Sequence, residues 1–154
     1  MRTSVDVHNY LQSRDIPHEI FLLNSPTRTA ERAAALLGLN LCEIIKTVIF
    51  FVDSEPVAVV TCGDKKVSYK KLKKVLGTSR VRLASPEEVV ELTGYVVGAT
   101  PPFCFENKIR ILIDKSVMDV EVVYTGGGEI NAMLKMKSQD LQGVTQGEIV
   151  DVND

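Results

Sequence analysis

The stretch Lys46-Thr47-Val48-Ile49-Phe50-Phe51-Val52-Asp53-Ser54-Glu55-Pro56-Val57-Ala58-Val59-Val60-Thr61-Cys62 decides the fold. Two runs rich in β-branched residues, Thr47–Val52 and Val57–Cys62, flank Asp53-Ser54-Glu55-Pro56. That pattern predicts a hairpin with a four-residue loop. Lys46 stands at its head, between a helix-patterned segment and the apolar run. A polar group buried there without a partner costs roughly 2–7 kcal/mol even when neutral. Lys46 therefore either marks a strand start and snorkels to water, or faces a ligand.

Upstream of the hairpin, Ser4–Arg14 reads as a helix with Val7, Tyr10 and Leu11 on one face. Pro17 interrupts it, and Glu19–Leu22 reads as a strand. Thr29 suits an N-cap, Glu31 suits the first turn, and Gly38 suits the left-handed residue that closes a helix over Ala30–Leu37. Cys42–Ile45 can add a short turn. Downstream, Ser68 can cap a helix to Leu76 that buries Leu72, Val75 and Leu76, and Val81–Leu83 is a short strand. Ser85-Pro86-Glu87-Glu88 is a capping box with proline at the first helical position, and Gly94 ends that helix. Tyr95–Phe105 is a loop, followed by strands over Ile109–Ile113, Val120–Thr125 and Ile130–Met136, with Glu148–Val152 as an edge strand. Gly126-Gly127-Gly128 reads as a turn or bulge. The expected architecture is α/β (α+β): a single domain, residues 1–154, with a curved mixed β-sheet or partial barrel flanked by helices.

Composition narrows the function. The chain has 154 residues, 45% of them apolar and 25% charged, and a net charge of −2. That length suits one domain burying roughly 70% of its unfolded surface. No run approaches the ~18 apolar residues of a membrane span, and Met1–Asp6 lacks a signal-peptide core, so a cytoplasmic protein with no membrane partner is expected. Cys42, Cys62 and Cys104 lie 20 and 42 residues apart with no C-x-x-C pair, so they read as small buried apolar residues. No metal and no cofactor are expected. His8 and His18 read as surface residues, and no Ser-His-Asp set, G-x-S-x-G elbow, G-x-G-x-x-G or P-loop is present. Six lysines crowd the ten residues from Lys65 to Lys74: Lys65, Lys66, Lys70, Lys71, Lys73 and Lys74. They form either a solvated helix face or a contact for a phosphate backbone. The Gly98-Ala99-Thr100-Pro101-Pro102 loop is stiffened by its prolines, while its glycine permits close approach of a ligand; such a loop can aim backbone N–H groups, and it can equally be a plain turn.

Several strings occur together here: Thr29-Ala30-Glu31-Arg32-Ala33-Ala34, Ile45-Lys46-Thr47-Val48, Gly63-Asp64-Lys65-Lys66, Arg82-Leu83-Ala84-Ser85-Pro86-Glu87-Glu88-Val89, and Leu92-Thr93-Gly94-Tyr95 followed by Gly98-x-x-x-Pro102-Phe103. In order and spacing they resemble the YbaK/ProX aminoacyl-tRNA deacylase family, related to the editing domain of bacterial prolyl-tRNA synthetases, over about residues 25–141. The resemblance implies a trans-editing hydrolase that cleaves the aminoacyl ester at the terminal adenosine of mischarged tRNA, with Cys- or Ala-tRNA(Pro) as substrate and prolyl-tRNA synthetase as a possible partner. It assigns the central roles to Lys46, Gly98 and Pro102. Substrate binding falls to Thr47, Ala99, Thr100, Pro101, Gly126, Gly127 and Asn131, while the charge pattern itself offers Lys65, Lys66, Lys70, Lys71 and Lys74 as the tRNA contact. Asn131 departs from the pattern, because some members carry an acid near that position. Two alternatives stay open: a non-catalytic module that binds a tRNA end or a synthetase, and a general nucleic-acid binder using the lysine patch. Oligomeric state is not legible in the sequence.

Overall fold

The computed structural model describes residues 1–154. Five helices and eight strands follow in the order α1 (Ser4–Gln12), β1 (Glu19–Leu22), α2 (Ala30–Leu37), β2 (Ile45–Val52), β3 (Glu55–Cys62), α3 (Tyr69–Leu76), β4 (Val81–Leu83), α4 (Pro86–Thr93), β5 (Arg110–Asp114), β6 (Val122–Gly126), β7 (Ala132–Lys137), α5 (Ser138–Thr145) and β8 (Glu148–Val150). The expected caps hold these helices. The side chains of Thr29, Ser68 and Ser85 accept from the backbone N–H of Arg32, Lys71 and Glu88, and Gly38, Gly77 and Gly94 end their helices with left-handed backbone.

The mixed sheet is divided in two. One sheet runs β4-β2-β3-β5-β8, and the other runs β1-β7-β6. β3 pairs in parallel with β5, and β5 with β8, while the remaining pairs are antiparallel. An isolated bridge between Ile44 and Tyr124 joins the sheets, and neither closes into a barrel. The β2–β3 hairpin is the centre of the packing. One of its faces, with Phe50, Val52, Val57 and Val59, meets Leu72 of α3 and Val152. On the other face Ile49 and Ala58 lie under Val89 of α4, while Ile45, Val60 and Cys62 join Leu134, Met136 and Val123 of the second sheet and Val7 and Leu11 of α1.

Four local expectations need correction. The hairpin loop has two residues, not four: Val52 pairs with Glu55, and Asp53 and Ser54 turn the chain with φ +49° and +71°. Positive φ at both central residues is the turn geometry whose twist matches the strands it joins. Replacing Ser54 by glycine removes the left-handed strain on a side chain, about 1–2 kcal/mol, against the extra entropy of an unfolded glycine, about 0.4–1 kcal/mol. Ser54→Gly is expected to raise unfolding stability by about 0.5–1 kcal/mol in urea titrations, and a lowered midpoint would contradict the turn assignment. Val75 is 37% exposed, so α3 buries chiefly Leu72. Cys42 is only half-buried, whereas Cys62 and Cys104 are buried, all three as free thiols. Finally, Ser138–Thr145 is helical where no helix is expected. Gly143 inside it hides the pattern, and fully buried Leu141 with Val144 supplies its apolar side.

Candidate functional site

β2 is only partly covered along its outer edge. β4 pairs with Phe50–Val52 and no further, and the last bond on that side runs from the Ala84 N–H to the Ile49 carbonyl, 2.9 Å. Backbone groups in an antiparallel ladder alternate sides with period two, so the Thr47 N–H and C=O point to the same, uncovered edge. A cavity of about 290 Å³ opens there. Its walls include the start of α2, residues Ile44–Val48, Gly63 after β3, the loop carrying Val97, Gly98 and Thr100, Gly126 at the end of β6, and Met133 of β7.

The loop is held from behind. Tyr95 is fully buried and donates its hydroxyl to the Cys104 carbonyl at 3.0 Å, and burial pushes its phenol well above the ordinary range, which keeps it a donor. The Thr93 hydroxyl bonds the Val89 carbonyl at 2.7 Å and receives the Tyr95 N–H at 3.0 Å, so the end of α4 and the loop are tied together. The Gly128 N–H donates to the Ala99 carbonyl at 2.9 Å, and the Thr100 hydroxyl donates to the Val96 carbonyl at 3.0 Å.

Two glycines set the width of the cavity. Gly98 has φ +88°, and a Cβ there would lie 2.6 Å from the Arg28 carbonyl oxygen. A Cβ on Gly126 would lie 2.7 Å from the Ala99 carbonyl carbon. The loop thus packs flush against both the start of α2 and the end of β6, at distances no side chain tolerates.

Of the residues singled out in the sequence, Lys46, Thr47, Gly98, Thr100 and Gly126 share the cavity wall. Lys46 is half-buried and makes no ion pair with any acidic side chain. The Thr47 hydroxyl is buried with no hydrogen-bond partner, as is that of Thr125. Such groups are rare in folded proteins. Ala99, Pro101 and Pro102 are buried and lie off the cavity wall. The Gly127 N–H closes the β6–β7 turn onto the Ala132 carbonyl at 3.0 Å, and the Asn131 side chain donates to the Leu23 carbonyl at 3.4 Å. Lys65, Lys66, Lys70 and Lys74 are exposed, outside the cavity. Lys71 pairs with Asp151 at 3.2 Å, and that bond holds the Asp151 carboxyl below its ordinary range. The patch and Lys46 share one sheet side. Lys46 is opposite Thr61 in the register, on the face that carries Val59 and Val57 toward α3.

Sequence reasoning missed Arg28 and Glu31. Both line the cavity, so its rim carries two cations and an acid. Arg28 had no signal beyond its place beside the Thr29 cap, and Glu31 stood in the string Thr29–Ala34, which fixes a helix start but not what it faces.

Comparison with known proteins agrees with this geometry. The aminoacyl-tRNA editing domain family matches residues 24–144. The proline–tRNA ligase of Staphylococcus aureus (strain Newman) is 35% identical over 102 residues, a match that takes in 66% of this chain and 18% of that ligase. The crystal structure of a hypothetical protein superposes with a TM-score of 0.91 at 37% identity, covering 97% of this chain and 99% of that one. The crystal structure of a proposed trans-editing enzyme for prolyl tRNA synthetase superposes with a TM-score of 0.89 at 25% identity, covering 98% and 96%. No helix is long and apolar enough to cross a membrane. The matched segment runs from the approach to α2 through α5 and so includes every wall of the cavity: the chain belongs to the aminoacyl-tRNA editing domain family.

Proposed function

We propose that this protein is a trans-editing deacylase that hydrolyses the ester joining a wrongly attached amino acid to the terminal adenosine of a tRNA. The observation that carries the reading is Lys46, free of any acidic partner, lining the same solvent-open cavity as Gly98. Lys46 and Arg28 hold phosphate or ribose oxygens of the tRNA end, and Glu31 receives the α-ammonium of the amino acid. The Gly98 N–H has no acceptor in the protein and serves the developing oxyanion. Water attacks the ester carbonyl, the tetrahedral intermediate collapses, and the C–O bond to the ribose breaks, the ribose oxygen leaving as a hydroxyl with the proton that the attacking water gives up through solvent and the amino acid leaving with the new carboxyl. No protein nucleophile is needed, because an aminoacyl ester is labile and orientation with one oxyanion donor, worth about 10²–10³ in rate, is enough. Cys- and Ala-tRNA(Pro) are the first substrates to examine, with the cytoplasm as the location and prolyl-tRNA synthetase as the partner of this reading.

The exposed lysines contact the acceptor stem. Changing Lys65, Lys66, Lys70 and Lys74 to alanine is expected to weaken tRNA binding and to flatten its salt dependence by roughly 0.7–0.9 in log–log slope per lost phosphate contact, read by fluorescence anisotropy. Lys71 adds least, since Asp151 already engages it. Unchanged affinity and slope would remove the patch from the interface.

The deacylase reading is tested by incubating the protein with Cys-, Ala- and Pro-tRNA(Pro) and with other mischarged tRNAs. Release of an amino acid faster than in buffer is expected. Salt-dependent tRNA binding with no release from any of them would leave a non-catalytic binding module instead.

A further inference from the structure

The loop that carries Gly98 leaves α4 at Gly94 and ends at Cys104, and one residue near the start of the chain binds both places. The Arg2 N–H donates to the Gly94 carbonyl at 2.9 Å. The Arg2 guanidinium donates to the Cys104 carbonyl at 3.1 Å and to its Sγ at 3.2 Å. Cys104 takes φ +60°, a left-handed backbone that a side chain resists. Such backbone persists only where its surroundings over-determine it. Here two donors share the Cys104 carbonyl: Arg2, and the buried Tyr95 hydroxyl at 3.0 Å. A carbonyl oxygen has a lone pair for each.

The same segment braces the β6–β7 turn. A Cβ on Gly128 would come within 2.8 Å of the Thr3 carbonyl and 2.9 Å of the Ser4 nitrogen, so the two backbones are in close contact. The backbone N–H and the hydroxyl of Ser4 both donate to the Glu129 carboxylate. The Gly128 N–H donates in turn to the Ala99 carbonyl. Residues 2–4 thus reach the Gly98 loop at its two ends and, through Gly128, in its middle. None of Arg2, Thr3 and Ser4 lines the cavity.

We propose that Arg2 is a positioning residue for deacylation: it staples the two ends of the Gly98 loop and so fixes where the Gly98 N–H points. The proposal rests on the deacylase reading of the cavity. The side chain suits the task. A guanidinium presents several N–H donors in a rigid fork and stays charged, so it can hold the Cys104 carbonyl and sulfur together. The consequence for the reaction has a definite signature. An oxyanion donor acts on charge that develops in the transition state, whereas the tRNA end is held by Lys46 and Arg28 on other elements. A loosened loop therefore slows the chemical step and leaves substrate affinity largely intact.

The test uses the full chain with Arg2→Met, which keeps an unbranched stem and drops every side-chain donor, and Arg2→Lys, which keeps one charged donor. Kinetics are read on the mischarged tRNA that the wild type hydrolyses fastest. Arg2→Met is expected to lower kcat about tenfold with KM within about twofold of wild type. Arg2→Lys should recover kcat to within about threefold. Hydrogen exchange gives a reading independent of activity. The Tyr95 and Ala99 amides, bonded to the Thr93 hydroxyl and the Val96 carbonyl, should exchange at least about tenfold faster in Arg2→Met, with the Val59 amide of β3 within about twofold of wild type. Unchanged kcat, or a raised KM with kcat intact, would overturn the proposal. So would Arg2→Lys no more active than Arg2→Met, or exchange quickened equally at Val59, since the role would then be one of general stability. Should Arg2→Met fail to fold, Arg2→Lys decides alone, with exchange at Tyr95 and Ala99 quickened more than at Val59 as the expected result and equal exchange as the contrary one. Hydrolysis by the wild type with the loop amides unmoved in Arg2→Met refutes the staple and spares the deacylase. Absence of hydrolysis by the wild type refutes the deacylase, and with it the positioning role of Arg2.

Discussion

Lys46→Ala is expected to lower kcat/KM for deacylation by about 10²–10³ while leaving the fold intact. The two halves of that expectation have separate origins. Lys46 lies on the cavity wall at the edge of β2, half-buried, with no ion pair to lose. Removing it therefore strands no buried partner, and the stability change should stay within about 1 kcal/mol, the span of strand propensity. The activity loss comes from orientation. In the proposed mechanism a cation bound to the tRNA end fixes the ester against the Gly98 loop, and misplacement by about 1 Å can cost 10²-fold. Urea unfolding and single-turnover deacylation of the same preparations separate the effects. Full activity in Lys46→Ala would remove the residue from the mechanism, and loss of activity together with the fold would leave its role structural.

Gly98→Ala is expected to act on both quantities at once. The added Cβ would meet the Arg28 carbonyl oxygen at 2.6 Å, with the Arg28 carbonyl carbon and Cα at 3.2 Å. These are backbone atoms, fixed by the start of α2, so the loop must move rather than a side chain. The residue also holds φ +88°, which an L side chain resists. Left-handed strain and displacement together should destabilise the protein by about 2–3 kcal/mol. A loop pushed away from Arg28 also widens the cavity at the oxyanion position, so deacylation should fall at least tenfold, by the same sensitivity to placement. Wild-type stability and rate in Gly98→Ala would show that neither the close approach nor the loop position matters.

The sequence made some of this legible and hid the rest for definite reasons. The β2 and β3 runs, the Thr29, Ser68 and Ser85 caps and the glycine stops are local signals, and local geometry follows from them. The two-residue turn was hidden because Asp53 and Ser54 take left-handed backbone without a glycine to announce it. The split into two sheets depends on pairings such as Glu19 with Lys135, which no local pattern encodes. For the site, the motifs named a loop but not its facing. Alternate residues of Gly98-Ala99-Thr100 turn toward and away from the cavity, so Gly98 and Thr100 line it while Ala99 is buried behind. Arg28 and Glu31 join the site only because α2 starts against Gly98, far along the chain.

In the proposed mechanism the cavity lined by Lys46 and Gly98 receives the aminoacylated end of tRNA. Nuclear magnetic resonance of the isotope-labelled protein, titrated with the alanyl amide analogue of the terminal adenosine, tests it directly. Saturable shifts of the Gly98 and Thr47 amides and of the Lys46 side chain, with the β8 amide of Ile149 unmoved, are the predicted result. A saturable response confined to residues outside that cavity, with Gly98, Thr47 and Lys46 unmoved, would contradict it.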